Sequence, residues 1–312
     1  MTLVDGCAVV LRGAVDVLPV AALPHLRGAA HVFGVDEPPP APDLLVKLAR
    51  DESVVLVAAS VDEPAAAALI AAGAPVIGLP TGMGLVEAVA VMDRLRSPGG
   101  CPWDAEQDHD TLRQYLVEET FELLEAIEDG DRAAMREELG DVLLQVLFHA
   151  RVAAEHGSDA FTVDDVAAEL VAKLVGRHPH VFAGGDSAVR DSSTQQVRWE
   201  ELKQQEKQRE SSVDGVALGQ PAVALAAKLA QRTKRAGFPV DLLPDGDDTG
   251  TTLFVVAALG KLAGEDPETE LRAVARTFAG NVRAAEAAAR LEGITTLDTE
   301  DWRRFWPANV EV

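Results

Sequence analysis

Two acidic clusters, EETFE at residues 118–122 and ELGD at residues 138–141, hold the residues of this sequence whose types and spacing could do chemistry. Residues three and four apart share a helix face, whereas neighbours one and two apart diverge. Glu118 and Glu122 are an i,i+4 pair, Glu119 and Glu122 an i,i+3 pair, and Glu138 and Asp141 again an i,i+3 pair. Asp129-Gly130-Asp131 between the clusters is a turn signal, so two antiparallel helices would bring all five carboxylates into one pocket. Two like charges about 4 Å apart repel by about 1 kcal/mol in water and about 4 kcal/mol at an effective dielectric near 20. A divalent cation reverses that sign. Magnesium takes oxygen ligands and is held by a few carboxylates together with the phosphates of its substrate. Histidine and cysteine are missing from both clusters, which argues against zinc. The chemistry expected is a magnesium site for a nucleotide polyphosphate.

A lone acidic helix is commonly a solvated face. Here the three-residue spacing recurs on two segments, with Val117, Phe121 and Leu124 set to pack against Leu139, Val142 and Val146. Glu125, Glu128, Asp129 and Glu137 read as solvated charge.

The elements that must position these acids follow from the hydrophobic pattern. Helices are expected over residues 85–96, 111–129, 131–156, 163–175 and 195–210, with the turn-rich loop SPGGCPWDAEQDHD after the first and the Gly-containing RHPHVFAGGDS before the last. Residues 1–82 differ: short β-prone runs at 8–11, 31–35 and 54–58 alternate with Ala-rich helical stretches, as in a small α/β unit. That unit has no glycine fingerprint for a dinucleotide and no obvious nucleophile. A further helical block covers 221–236, 250–263 and 267–291, with a short segment around Trp302, and its abundant alanine blurs which face is buried.

With 312 residues the chain can bury a full core and divide into two or three domains. Its net charge of -23 argues against affinity for a nucleic acid polymer. No apolar run is long enough to span a membrane. The start lacks a signal-peptide pattern and Cys7 and Cys101 stand far apart, so a reducing cytoplasm is expected. Downstream of the acids, Lys173, Arg177, Arg198, Lys203, Lys207 and Arg209 could neutralise a small anionic substrate or simply form a solvated basic face.

EETFE followed, after a fifteen-residue spacer, by ELGD resembles the MazG family of nucleoside triphosphate pyrophosphohydrolases, whose signature is EExxE, a spacer, then ExxD. The flanks make the match specific: CPWDAEQDHDTLRQYLVEETFELLEAI before the turn, and ELGDVLLQVLFHARVA, KLVGRHPHVF and WEELKQQEK after it. The resemblance is strong over residues 85–210, continues through LAAKLAQRTKRAGFPV, and leaves out the first 80 residues. It implies a catalytic helical bundle at 83–212 and a degenerate second helical domain at 213–312, which with the α/β unit in front make a mainly α protein.

The resemblance further implies magnesium-dependent cleavage of NTPs or dNTPs between the α and β phosphates, with manganese as a substitute metal, and a homodimer that bundles helices from two subunits. Glu119, Glu122, Glu138 and Asp141 match the metal-binding positions, and Glu118 is placed beside them or as a base that orients water. Lys173, Arg177, Lys203 and Lys207 are candidates for phosphate contacts. Trp103 could stack on a base or anchor its loop, and His109 could meet substrate or support the start of its helix. His178 and His180 read as structural or dimer contacts.

Two-domain members carry a second acidic motif, but here DTGT at Asp248–Thr251 stands in place of ELGD and the acidic helix upstream is missing. The C-terminal copy is therefore expected to be catalytically dead. A carboxylate-bridged di-iron bundle wants two Glu-x-x-His elements, and only Glu106 with His109 has that spacing. A non-catalytic module with an acidic partner-binding face is the other alternative.

Overall fold

The computed structural model describes residues 2–13, 17–183, 191, 194–195, 198–199 and 210–307, and places them in two compact units, 1–176 and 177–312. The expected helix over 195–210, with Lys203, Lys207 and Arg209, lies largely outside the described residues.

In the first unit, β1 (Ala8–Leu11), β2 (His31–Phe33), β3 (Val54–Ala58) and β4 (Val76–Ile77) form a parallel sheet in the order β2-β3-β1-β4. The step from β1 to β2 runs opposite to those from β2 to β3 and from β3 to β4. Right-handed crossovers then require helices on both faces. Accordingly, α1 (Leu23–Gly28) lies on the face carrying Ala8, Val10, Val55 and Val57. Helices α2 (Pro42–Asp51) and α3 (Pro64–Ala71) cover the opposite face, with Val9, Val54, Leu56 and Ala58. The run VVLVA of β3 is buried throughout because both of its faces are covered.

Helix α4 (Met83–Arg96) leads into the loop at 97–101, where Gly100 is obligatory: a Cβ there would sit 2.1 Å from the Leu95 carbonyl oxygen. The segment read as loop also contains a short helix, α5 (Pro102–Glu106), started by its proline. The hairpin follows as α6 (His109–Asp129) and α7 (Arg132–Ala153). Helix α6 begins two residues before the expected start because Asp108 and Thr111 form a capping box. It ends at Gly130, whose φ of 68° is the left-handed cap glycine tolerates, and Asp131 then caps α7. Helix α8 (Val163–Arg177) completes this region, and the short α9 (Pro179–Phe182) belongs to the second unit.

The hairpin's core is gathered at its open end, where Met92 of α4 meets Leu112, Leu147, Phe148 and Val152. The packing expected nearer the acids is not observed. Val117, Phe121, Leu124, Leu139 and Val146 are all exposed, and only Val142 of that set is half-buried. The two helices still pair, with Ala126 buried on α6, and leave an apolar surface open.

In the second unit α10 (Ala222–Arg235) pairs with α11 (Thr249–Ala263), followed by α12 (Pro267–Leu291) and α13 (Thr299–Phe305). Of the alanines among its described residues, Ala226, Ala227, Ala230, Ala257, Ala258, Ala285 and Ala289 are the buried ones. Their small side chains let helices approach closely, and a core built this way leaves little periodic signal to read. No helix among the described residues is long and apolar enough to cross a membrane. The architecture is mainly α with a small α/β unit at the N-terminus.

Candidate active site

Glu119 and Glu122 of α6 and Glu138 of α7 each place a carboxylate oxygen within 4.8 Å of the others. Helical spacing aligns the first two, and the tight turn at Gly130 folds the third back on them. Glu119 and Glu138 are half-buried, whereas Glu122 is exposed. Of the five expected carboxylates, three therefore form the close group. Asp141 and Glu118 stand outside it but act on it through their charge.

That charge acts on the proton affinity of the site. Burial pushes the Glu119 carboxyl above the usual range, and the negative charges of Asp141, Glu122, Glu118 and Glu138 add to the shift. Glu138 is raised in the same way, by burial first and then by Glu122, Asp141 and Glu137. The group is thus unfavourably charged when alone, and its all-oxygen donor set fits a hard cation such as magnesium.

Trp103 lies on α5 and packs against the hairpin. Its ring meets Tyr115 edge-on at 6.1 Å and Phe148 at 6.4 Å, while half of the residue stays exposed. Tyr115 lies one helical turn before Glu119 on the same face of α6. The tryptophan is therefore both packed from behind and open on one side.

Arg96, which the sequence did not mark, holds this arrangement in place. Its side chain is 3% exposed, and it donates to Glu155 at 2.7 and 3.0 Å. It also donates to the carbonyls of Asp104 and Gln107, and its guanidinium lies over Phe148. One arginine thus ties the Trp103 segment to the end of α7. Glu155 in turn is held below the usual carboxylate range, first by the Arg96 hydrogen bond and then by the charges of Arg96 and Arg151. Spacing in sequence gives no sign of these contacts, because Arg96 reaches backbone carbonyls at the C-terminal end of α5.

The basic candidates are placed less uniformly. Lys173 is exposed on α8. Arg177 is buried, with its guanidinium 5.1 Å from the ring of Trp199 and its carbonyl accepting from Gln195. Lys203 and Lys207 lie outside the described residues. His178 packs edge-on against Trp199 at 5.0 Å and stands beside His180. In the second unit the carboxylate of Asp248 caps α11, accepting from the Thr251 amide at 2.9 Å and its hydroxyl at 2.6 Å. Those bonds hold the Asp248 carboxyl below its usual range. The one acid left in the DTGT segment is thus engaged as a cap.

Residues 107–182, which contain the whole carboxylate hairpin, match the MazG nucleotide pyrophosphohydrolase domain. A nucleoside triphosphate pyrophosphohydrolase of Mycobacterium tuberculosis is 40% identical over 94% of this chain and 92% of its own length. The chain belongs to the MazG family. The Thermotoga maritima relative, named nucleoside triphosphate pyrophosphohydrolase/pyrophosphatase MazG, is 35% identical over 70% of this chain and 93% of its own. The Escherichia coli K12 nucleoside triphosphate pyrophosphohydrolase is 34% identical over 70% of this chain and 94% of its own. The mycobacterial match corrects one expectation. Alignment over 94% of the chain leaves fewer residues than the N-terminal α/β unit contains, so MazG similarity reaches into that unit.

Proposed function

We propose that this MazG protein hydrolyses nucleoside triphosphates, ribo- or deoxyribo-, to a nucleoside monophosphate and pyrophosphate in a magnesium-dependent reaction. The observation that carries it is the convergence of Glu119, Glu122 and Glu138 within 4.8 Å on a hairpin that matches the pyrophosphohydrolase domain. These three acids hold the metal together with Asp141, whose charge already acts on Glu119 and Glu138. Bound magnesium, or manganese in its place, would neutralise the acids and supply positive charge to the phosphate oxygens as the bridge between the α and β phosphates breaks.

Glu118, exposed beside Glu119, orients the attacking water and accepts its proton. The water oxygen bonds to the α phosphorus, and pyrophosphate leaves with the bridging electrons. The open side of Trp103 stacks on the base, an interaction every nucleobase can make. Lys173 adds charge for the phosphates. Arg177 serves that purpose only by leaving the Trp199 ring, so we place it second.

A second copy of the chain covers the exposed Val117, Phe121, Leu124, Leu139 and Val146, and the apolar residues Val166, Leu170 and Leu174 of α8. The catalytic domain in this scheme spans 83–212, and the C-terminal domain, 213–312, serves packing. Removal of damaged or non-standard nucleotides from the cytoplasmic pool is the role such a reaction fits.

A product-resolved substrate panel with and without magnesium tests this function. Pyrophosphate and nucleoside monophosphate are expected with metal and neither without it. Orthophosphate as the product, or turnover unaffected by chelation, would contradict it.

A further inference from the structure

At the open end of the hairpin, outside the carboxylate group, His109 and His149 face each other with their Nδ1 atoms 2.8 Å apart. The ring centres are 5.1 Å apart and the planes differ by only 8°. The centres exceed the nitrogen separation by about two ring radii, as in two coplanar rings meeting edge to edge rather than lying one over the other. This is the geometry of one hydrogen shared between two nitrogens.

We infer that His109 and His149 are a positioning pair, a single-proton clamp that fixes the start of α6 against α7 and thereby holds Glu119 and Glu122 opposite Glu138. The turn at Gly130 closes one end of the hairpin and this hydrogen bond closes the other, with the acids between them. The inference rests on the proposed hydrolysis only for its activity readout.

The chemistry of imidazole makes the clamp conditional. A bond between two Nδ1 atoms needs one donor and one acceptor, and an imidazolium has no acceptor. His149 is half-buried and its Nε2 has no hydrogen-bond partner among the described residues, so a proton there would be buried and unmatched. The arrangement that avoids this has His149 donating from Nδ1 and the exposed His109 accepting, with the His109 Nε2 proton in solvent. Protonating both rings leaves two donors and no acceptor, and opens the clamp.

The charged groups around the pair are Asp108, Asp110 and Arg113 on the first turn of α6 and its cap, and Arg151, Glu155 and His156 at the end of α7. Asp93 and Arg96 stand on α4, and Asp104 on α5. Of these, Arg96 and Arg151 are engaged with Glu155, and Arg151 with Asp93. The ring of His156 lies 6.0 Å from that of His109. Burial and the neighbouring His109 both hold His149 below the usual imidazole range, in keeping with a pair that carries its second proton poorly.

The test combines imidazole nitrogen NMR of the full-length protein with the pH profile of pyrophosphate release. In the wild type, one Nδ1 of the pair is expected protonated and the other bare at neutral pH, with both signals changing together on acidification. His149→Asn keeps a hydrogen-bonding atom near the Nδ1 position but does not titrate. In this variant kcat at neutral pH should stay within about threefold of wild type, and the acid limb should move from the imidazole range towards the carboxylate range. His149→Phe should lower kcat by about tenfold at neutral pH with little change in KM, as expected from loss of one side-chain hydrogen bond. Two independently titrating imidazoles, or an acid limb unchanged in His149→Asn, would overturn the clamp. Wild-type protein that releases no pyrophosphate yet shows the shared-proton signals would instead refute the hydrolysis and leave the clamp standing.

Discussion

Glu119 and Glu138, on different helices, bring carboxylate oxygens within 4.8 Å of one another, and burial raises the affinity of both for a proton. A fold that brings like charges together at a half-buried position loses stability unless something neutralises them. Protons do so at low pH, and a divalent cation does so at neutral pH.

This sets the sign of the pH dependence. Both carboxyls have folded-state values above their unfolded ones, so their contribution to stability is greatest below the ordinary glutamate range and is lost as pH rises through the raised values. Magnesium needs the ionised form. Thermal unfolding should therefore show stabilisation by magnesium at about pH 8, near 2.7 kcal/mol at a free concentration about 100 times Kd, and much less at about pH 5. An equal shift at both values would place the metal elsewhere.

Arg96→Ala should destabilise the protein by about 2–4 kcal/mol in urea unfolding, because it leaves the Asp104 and Gln107 carbonyls and Glu155 without their shared donor. Since the same arginine holds the Trp103 segment, tryptophan fluorescence of the folded variant should also shift. A stability change under about 0.5 kcal/mol would mean that this network contributes no more than an exposed pair.

Asp248→Ala should cost about 1 kcal/mol, the usual loss for removing a helix cap, and leave pyrophosphate release at the wild-type rate. A fall in rate beyond what unfolding explains would show that the second unit takes part in catalysis.

Placing glutamates at Phe121 and Leu170, both exposed in a single chain, should convert a dimer to a monomer in sedimentation velocity. The wild type is expected at twice the mass of one chain. A wild-type monomer would remove the reason given for the exposed apolar side chains.

The sequence made the hairpin legible because its acids, its Asp-Gly-Asp turn and its helix lengths obey local rules, and the structure forms α6 and α7 close to the expected bounds. Three strands of the α/β unit, β1 to β3, were equally readable from their apolar runs, whereas β4, only two residues long, was not. Packing was not. The residues expected to fill the space between the helices, Phe121 and Leu139 among them, lie exposed, since an apolar stripe does not say whether its partner is in the same chain. The Arg96–Glu155 and His109–His149 contacts leave no mark in the sequence for a related reason: both join residues distant in the chain through geometry that no spacing encodes.

Pyrophosphate release by Glu138→Ala at saturating magnesium tests the central claim most directly, because this residue alone supplies the α7 side of the close carboxylate group. With circular dichroism showing the helices intact, the rate should fall by on the order of 100-fold or more, since even groups that merely support metal ligands cost about 10–100-fold when removed. Full pyrophosphate release by a folded Glu138→Ala protein would contradict the assignment of the active site to this hairpin.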